Sequence, residues 1–328
     1  MNQKTVYLLK RVGLTIFSLY AIVTVIFFLF RLVPGDPTTA ILNPRMTEET
    51  RQIILETYGL TKPLHEQYVI FIGNLLTFNL GVSYMNGQLV STLLFEKTLN
   101  TMALVMFALI LAFLLGPLIG AYIAWYRGSK VDSIAIAILL TLRGAPVFWT
   151  GMLGIMLFSF TLGWLPPGGL RSAGFIGTQA DKFLSLDFLY HLVLPLSVTT
   201  AYFLSMPAFV MRNSMIDVLN EEFIELCRAR GMSNNRILYL HAARNSLLPV
   251  LHYSAVVIGF GFGGSVVIEV VFSWPGLGLL MFDAVMQNDY PVAQASFVML
   301  ATIILALNLL ADSLSSFVDP RAVVEGVG

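Results

Sequence analysis

The side chains able to do covalent or metal chemistry are few and poorly spaced for it. His65, His191, His241 and His252 are scattered, with no two at metal-ligand spacing. His65-Glu66 opens like the helix of a zinc protease, but Val69 stands where the second histidine has to be. The lone cysteine, Cys227, excludes an internal disulfide and offers no cluster to a metal. Ser265 and His252 could in principle serve an intramembrane hydrolase, yet nothing places them together and no oxyanion-binding element accompanies them. Gly259, Gly261, Gly263 and Gly264 form a glycine cluster, but it lies in an apolar run and lacks the lysine of a GxxxxGK[ST] phosphate loop. The chain is therefore expected to hold no cofactor and to catalyse no covalent step.

The elements that must position these residues are apolar. Of 328 residues 57% are hydrophobic and 12% charged, against about 45–50% and about 25% in soluble domains. Net charge is zero, which gives no argument for nucleic acid as a partner. A helix needs about 20 apolar residues to cross the hydrocarbon, where unpaired backbone groups find no water. Six stretches qualify: 12–32, 98–125, 134–162, 188–210, 250–272 and 291–318. The first follows Lys4, Lys10 and Arg11 like a signal peptide, but its apolar run is too long and no small-residue cleavage site follows.

Lysine and arginine beside span ends set orientation. Lys4, Lys10 and Arg11, then Arg127 and Lys130, then Arg228, Arg230 and Arg236, then Arg321 all fall on one side, whereas the loop before the last span has Asp283 and Asp289 and no base. The termini 1–11 and 319–328 and the segment 211–249 are thus expected in the cytoplasm, in an inner-membrane protein surrounded by lipid. Segments 33–97, 163–187 and 273–290 are expected outside, the first with short helices begun by Thr47-Glu48-Glu49 and by Pro63. Six spans alone suit a channel or secondary transporter equally well.

Residues 212–249 carry more information. Glu221, Glu222 and Glu225 open a short helix that Arg228 and Arg230 close, so acids face the positive end of the helix dipole and bases the negative end. Ala229 completes the last turn, and Gly231 suits the left-handed position that stops a helix. Ser233 or Asn234 can start the next one. Such a helix could dock into a groove on a cytoplasmic partner, although the charges also fit a merely solvated loop.

Glu225, Gly231 and the closing Leu248-Pro249 resemble the cytoplasmic signature of permease subunits in ATP-binding cassette importers. Arg212, the run Cys227-Arg228-Ala229-Arg230-Gly231 and His241-Ala242-Ala243-Arg244-Asn245 are similar to the peptide branch, which includes dipeptide, oligopeptide, nickel-complex and some oligosaccharide importers. Leu226 and Cys227 depart from the two alanines of that signature. Further matches run along the chain: Pro34-Gly35-Asp36-Pro37, Tyr58-Gly59-Leu60, Gln67-Tyr68, Leu80-Gly81-Val82-Ser83, Pro146-Val147-Phe148-Trp149, Trp274-Pro275-Gly276-Leu277-Gly278, Asp289-Tyr290-Pro291 and Asp319-Pro320-Arg321. The resemblance implies an all-α, type I importer permease with six transmembrane helices, in which Glu222 to Gly231, together with Pro249, form a coupling segment. It also implies a second permease, two ATP-binding subunits carrying ATP and Mg, and an external substrate-binding protein meeting the region of Trp274, Pro275 and Gly276.

Within the spans, Arg143 falls near the middle of 134–162, where an arginine costs about 2.5–3.5 kcal/mol on insertion scales. It is expected to face the passage or an acid such as Asp312. Glu269 and Asp312 lie near span ends and are expected to reach the interface. Asn308 and Asp312 share a helix face, which suggests an interhelical contact. Gly261 and Gly264 suit close packing or a hinge around a pore.

Overall fold

The computed structural model describes residues 3–32, 52, 62–174 and 181–318. Every longer described element is helical, and the β-contact among them is an isolated bridge between Val82 and Leu89. In chain order the helices are α1 (Gln3–Leu32), α2 (Leu64–Leu76), α3 (Val90–Trp125), α4 (Lys130–Gly144) and α5 (Val147–Gly154), which continues as a π-helix over Ile155–Thr161. Then follow α6 (Asp181–Leu184), α7 (Leu186–Leu219), α8 (Glu222–Ala229), a π-helix at Arg236–Ala242, α9 (Ala243–Val271), α10 (Leu277–Met286) and α11 (Tyr290–Val318). The expected turn at Thr47-Glu48-Glu49, and the segments Pro34–Pro37, Tyr58–Leu60 and Asp319–Arg321, lie outside the described residues.

Four helices, α1, α3, α7 and α11, are long and apolar enough to cross a bilayer unbroken. Two bent pairs raise the number to six: Lys130–Gly144 meets Val147–Thr161 at 101°, and Arg236–Ser254 meets Val257–Val271 at 56°. The stretch 134–162, expected as one helix, is therefore two. Its break is local chemistry: Pro146 forces the preceding residue out of the helical region, and Ala145 sits at ψ 133°.

Other bounds shift as well. The first helix begins at Gln3, and α3 begins at Val90 and runs for 36 residues, about 54 Å at 1.5 Å per residue. Helix α7 continues past 210 to Leu219, and the segment 273–290 contains α10. Helices α3 and α7 exceed the hydrocarbon thickness of about 30 Å, so they project from it at one end or both.

Helices α3 and α7 pack most extensively against each other, and in sequence α4 and α5 lie between them. Gly116 and Gly120 allow this approach. A Cβ on Gly116 would lie 2.9 Å from Pro207 Cβ, and one on Gly120 would collide with the Ala208 carbonyl oxygen. The core lies in layers along this axis. At one end Ala121, Ala124, Met211 and Met215 meet Ile224 and Ile237; Val105, Leu109, Phe203 and Phe262 fill the middle; Leu104, Phe188, Phe272 and Trp274 close the other end.

Helix α1 packs on α11 and is braced by α2. Pro63 is the N-cap of α2, and its carbonyl accepts from Glu66 N at 3.0 Å and Gln67 N at 3.1 Å. Gln67 Oε1 accepts from Arg31 Nε at 2.8 Å, and the Tyr68 hydroxyl bonds Thr24 Oγ1 at 2.7 Å.

Candidate functional site

At the end where α3 and α7 finish, the chain leaves α7 at Asn220 and enters α8 through Glu221, whose extended backbone makes it the N-cap. Glu222 and Glu225 occupy the first turn and Arg228 the last, in the sense that favours the helix dipole. Gly231 takes φ +73°. Its N–H donates to the Arg228 carbonyl at 2.9 Å, and the Met232 N–H donates to the Cys227 carbonyl at 3.2 Å. These two bonds are the Schellman arrangement, which needs a left-handed residue where Gly231 stands.

Only two α8 side chains are buried, Ile224 (0% exposed) and Cys227 (9%). They sit against Met211 and Met215 of α7 and Ile237, Leu238 and Ala242 of the π-helix. Glu222, Phe223, Glu225, Leu226, Arg228, Ala229 and Arg230 are all exposed. The two positions that depart from the alanine signature thus divide: Cys227 packs inward and Leu226 points out. A helix of two turns held by two buried residues leaves a mixed apolar and charged face exposed. Pro249 does not close this element, because it lies inside α9, whose helix continues through it.

Near this end, α4 is tied to α7 by charge. Asp132, in the first turn of α4, is 5% exposed. Arg212 of α7 holds it with Nε to Oδ1 and Nη2 to Oδ2, both 2.9 Å, and Gly128 N adds a third bond at 2.9 Å. Ser129 caps the same helix by accepting from Asp132 N at 3.3 Å. The Ser129-x-x-Asp132 spacing is a helix-start signal legible in the sequence; the pairing with Arg212 is not.

At the opposite end, Glu269 does not reach an interface. It is fully buried, and its Oε1 accepts from Thr101 Oγ1 at 2.7 Å and Ser265 Oγ at 3.3 Å. Its Oε2 accepts from Leu279 N at 3.0 Å, in the first turn of α10. The carboxylate thus occupies the N-terminus of α10, where backbone N–H groups lack helical partners. Gly276 and Gly278 leave it the room: a Cβ on Gly276 would collide with Glu269 Oε2, and one on Gly278 would lie 2.9 Å from the same atom.

Trp274 is likewise not a surface aromatic. It is 0% exposed, and its Nε1 donates to the Asn100 carbonyl at 3.0 Å, while Asn100 Nδ2 donates to the Pro275 carbonyl at 2.7 Å. Of Trp274, Pro275 and Gly276, Pro275 alone is partly exposed. The ring serves to lock the turn onto α3, because an indole N–H inside a core needs an acceptor. Asn100 and Thr101 carry this network, and no motif in the sequence marks them as site residues.

Arg143 and Asp312 are not brought together. Arg143 sits in the last turn of α4, at the break rather than mid-helix, and its guanidinium lies 4.4 Å from the centre of the Tyr202 ring. Asp312 instead pairs with Arg11 at 3.1 Å, joining α1 to α11. Asn308 faces Gly259, where a Cβ would collide with its amide. Gly261 packs against Val105 and Leu109, while a Cβ on Gly264 would have nothing within 4 Å. Arg11, Asn308 and Asp312 line a cavity of about 320 Å³ with Phe260.

The chain matches known proteins over nearly its full length. Residues 116–324 match the family of the binding-protein-dependent transport system inner membrane component, and residues 5–105 match the corresponding N-terminal family. The oligopeptide transport system permease protein AppB of Bacillus subtilis is 36% identical over 317 residues, covering 96% of this chain and 98% of its own. The di/tripeptide transport system permease protein DppB of Pseudomonas aeruginosa is 34% identical over 330 residues, with 96% and 98% covered. Among solved structures, an inward-facing form of the MetNI methionine ABC transporter aligns with TM-score 0.55 at 18% identity, covering 69% of this chain and 96% of that one. That likeness supports the fold. On the two family matches and these relatives, the chain belongs to the inner-membrane components of binding-protein-dependent transport systems.

Proposed function

We propose that this chain forms half of the translocation pathway of an ATP-driven peptide importer and works by alternating access. The observation that carries the reading is α8: two buried residues and a Schellman turn hold it rigidly while its whole outer face stays open. In this account α8 docks on a separate ATPase subunit, and the closing of two such subunits around ATP and Mg moves α7 and α9 through the packing of Ile224 and Cys227. The basic flanks favour an orientation with α8 and both termini in the cytoplasm. A second permease and an external binding protein complete the complex, the latter approaching the side of α10. Peptide as cargo is supported by the names of AppB and DppB.

The test is reconstitution of the complete importer in vesicles, with ATP-dependent uptake measured for a peptide, an oligosaccharide and a nickel complex. Peptide uptake that requires the ATPase subunits is the expected result. Uptake without them would favour a channel or secondary transporter, and uptake of another cargo alone would overturn the peptide reading. Gly231→Val is expected to abolish coupling through its backbone alone, since nothing lies within 4 Å of a Cβ there.

A further inference from the structure

Arg143 is an arginine of a candidate membrane span that pairs with no acid among the described residues. It stands in the last turn of α4, beside the 101° bend within a candidate span. Its side chain is exposed. Among the described residues it makes no salt bridge and no hydrogen bond, and Asp312, the acid expected to serve it, is engaged by Arg11. A charge so placed faces water or a partner rather than lipid.

Two tyrosines complete the surroundings. Tyr202, midway along α7, lies under the guanidinium at 4.4 Å, and Tyr253 of α9 packs against the same core cluster as Tyr202. Both tyrosines are partly buried, and among the described residues neither hydroxyl has a hydrogen-bond partner within the chain. A guanidinium stacked on a ring keeps its N–H donors free at the edge, in the fork that matches a carboxylate. The break at Ala145-Pro146 ends α4 beside this cluster.

We infer that Arg143, Tyr202 and Tyr253 form a station on the passage that holds the terminal carboxylate of a peptide in transit. This rests on the importer reading. Helices α4, α7 and α9 each supply one member, so a rearrangement of the bundle separates the donors and releases the anion. A station of this kind has to bind weakly enough to let go, and a partly exposed arginine with two hydroxyls meets that need better than a closed pocket.

The experiment uses the whole importer in vesicles, with one peptide supplied as free acid and as C-terminal amide, each presented saturated on the binding protein. The wild type is expected to move the acid about tenfold faster than the amide, as a charge-assisted hydrogen bond would give. Arg143→Gln is expected to lower the acid to the rate of the amide and to leave the amide rate unchanged, while Arg143→Lys keeps part of the difference. Tyr253→Phe, which removes one hydroxyl without changing packing, narrows the ratio in the same direction and decides the matter should Arg143→Gln fail to assemble. An acid-to-amide ratio that is the same in the variants as in the wild type overturns the station. So does an equal fall of both rates in an intact Arg143→Gln complex, which would make Arg143 the partner of an acid on the second permease. A wild type that moves neither peptide overturns the importer reading itself.

Discussion

Arg212 of α7 and Asp132 of α4 face each other across 80 residues of sequence through two parallel hydrogen bonds of 2.9 Å. The pair joins α4 to α7, the helix that leads into α8, and it is largely shielded from water. Removing one member of such a pair leaves the other charge buried, at about 3–5 kcal/mol. Asp132→Ala and Arg212→Ala should each lower the thermal stability of the purified complex by that order. Arg212→Lys should recover only part, because an ammonium cannot reproduce the fork. Equal stability of Arg212→Lys and wild type would show that the bidentate geometry is unimportant.

Glu269 tests the opposite end. Glu269→Leu strips the acceptor from Thr101 Oγ1 and from the Leu279 N–H, and two donors left buried without partners cost about 1–3 kcal/mol each. Glu269→Gln keeps one acceptor oxygen and should destabilise less. Thermal unfolding in detergent is expected to rank wild type above Gln above Leu. A Leu variant as stable as wild type would mean that α10 is held by apolar packing alone.

Close helix approach is tested at Gly120. A methyl there meets the Ala208 carbonyl, so Gly120→Ala must push α3 from α7 and should cost about 1–3 kcal/mol. Gly264→Ala enters open space and should stay within about 0.5 kcal/mol of wild type. The same stability measurement on both variants separates contact from a general intolerance of glycine replacement.

Much of this architecture is legible in the sequence because a bilayer leaves the backbone little choice: apolar runs of sufficient length become helices, and α8 announces itself by acids, bases and Gly231. What is not legible depends on tertiary partners. Ser83 and Asp289 lie in two motifs 206 residues apart, and only folding brings the Ser83 hydroxyl onto the Asp289 carboxylate, with Tyr84 N adding a bond at 3.1 Å. Glu269 reads as an interface residue because it lies near a span end, and Trp274 as part of an outer contact region; both are buried, since a turn that folds back on α3 gives them partners there. Arg143 reads as mid-helix because the count of apolar residues passes through Pro146 without registering the 101° bend. The glycines that matter most for packing, Gly116 and Gly120, stand four apart in α3, whereas the denser and more conspicuous cluster in α9 packs only in part.

Whether the open face of α8 receives an ATPase subunit is decided by Leu226→Asp. Leu226 is 53% exposed in the chain itself, so an acid there should leave folding and membrane insertion intact, yet a charge buried unpaired in an interface costs about 2–5 kcal/mol. The measurement is co-purification of the ATPase subunits with the variant, paired with ATP-driven peptide uptake by the same preparation. Loss of both, from a chain that still inserts, is the predicted result. Full ATPase association and undiminished uptake would contradict the account.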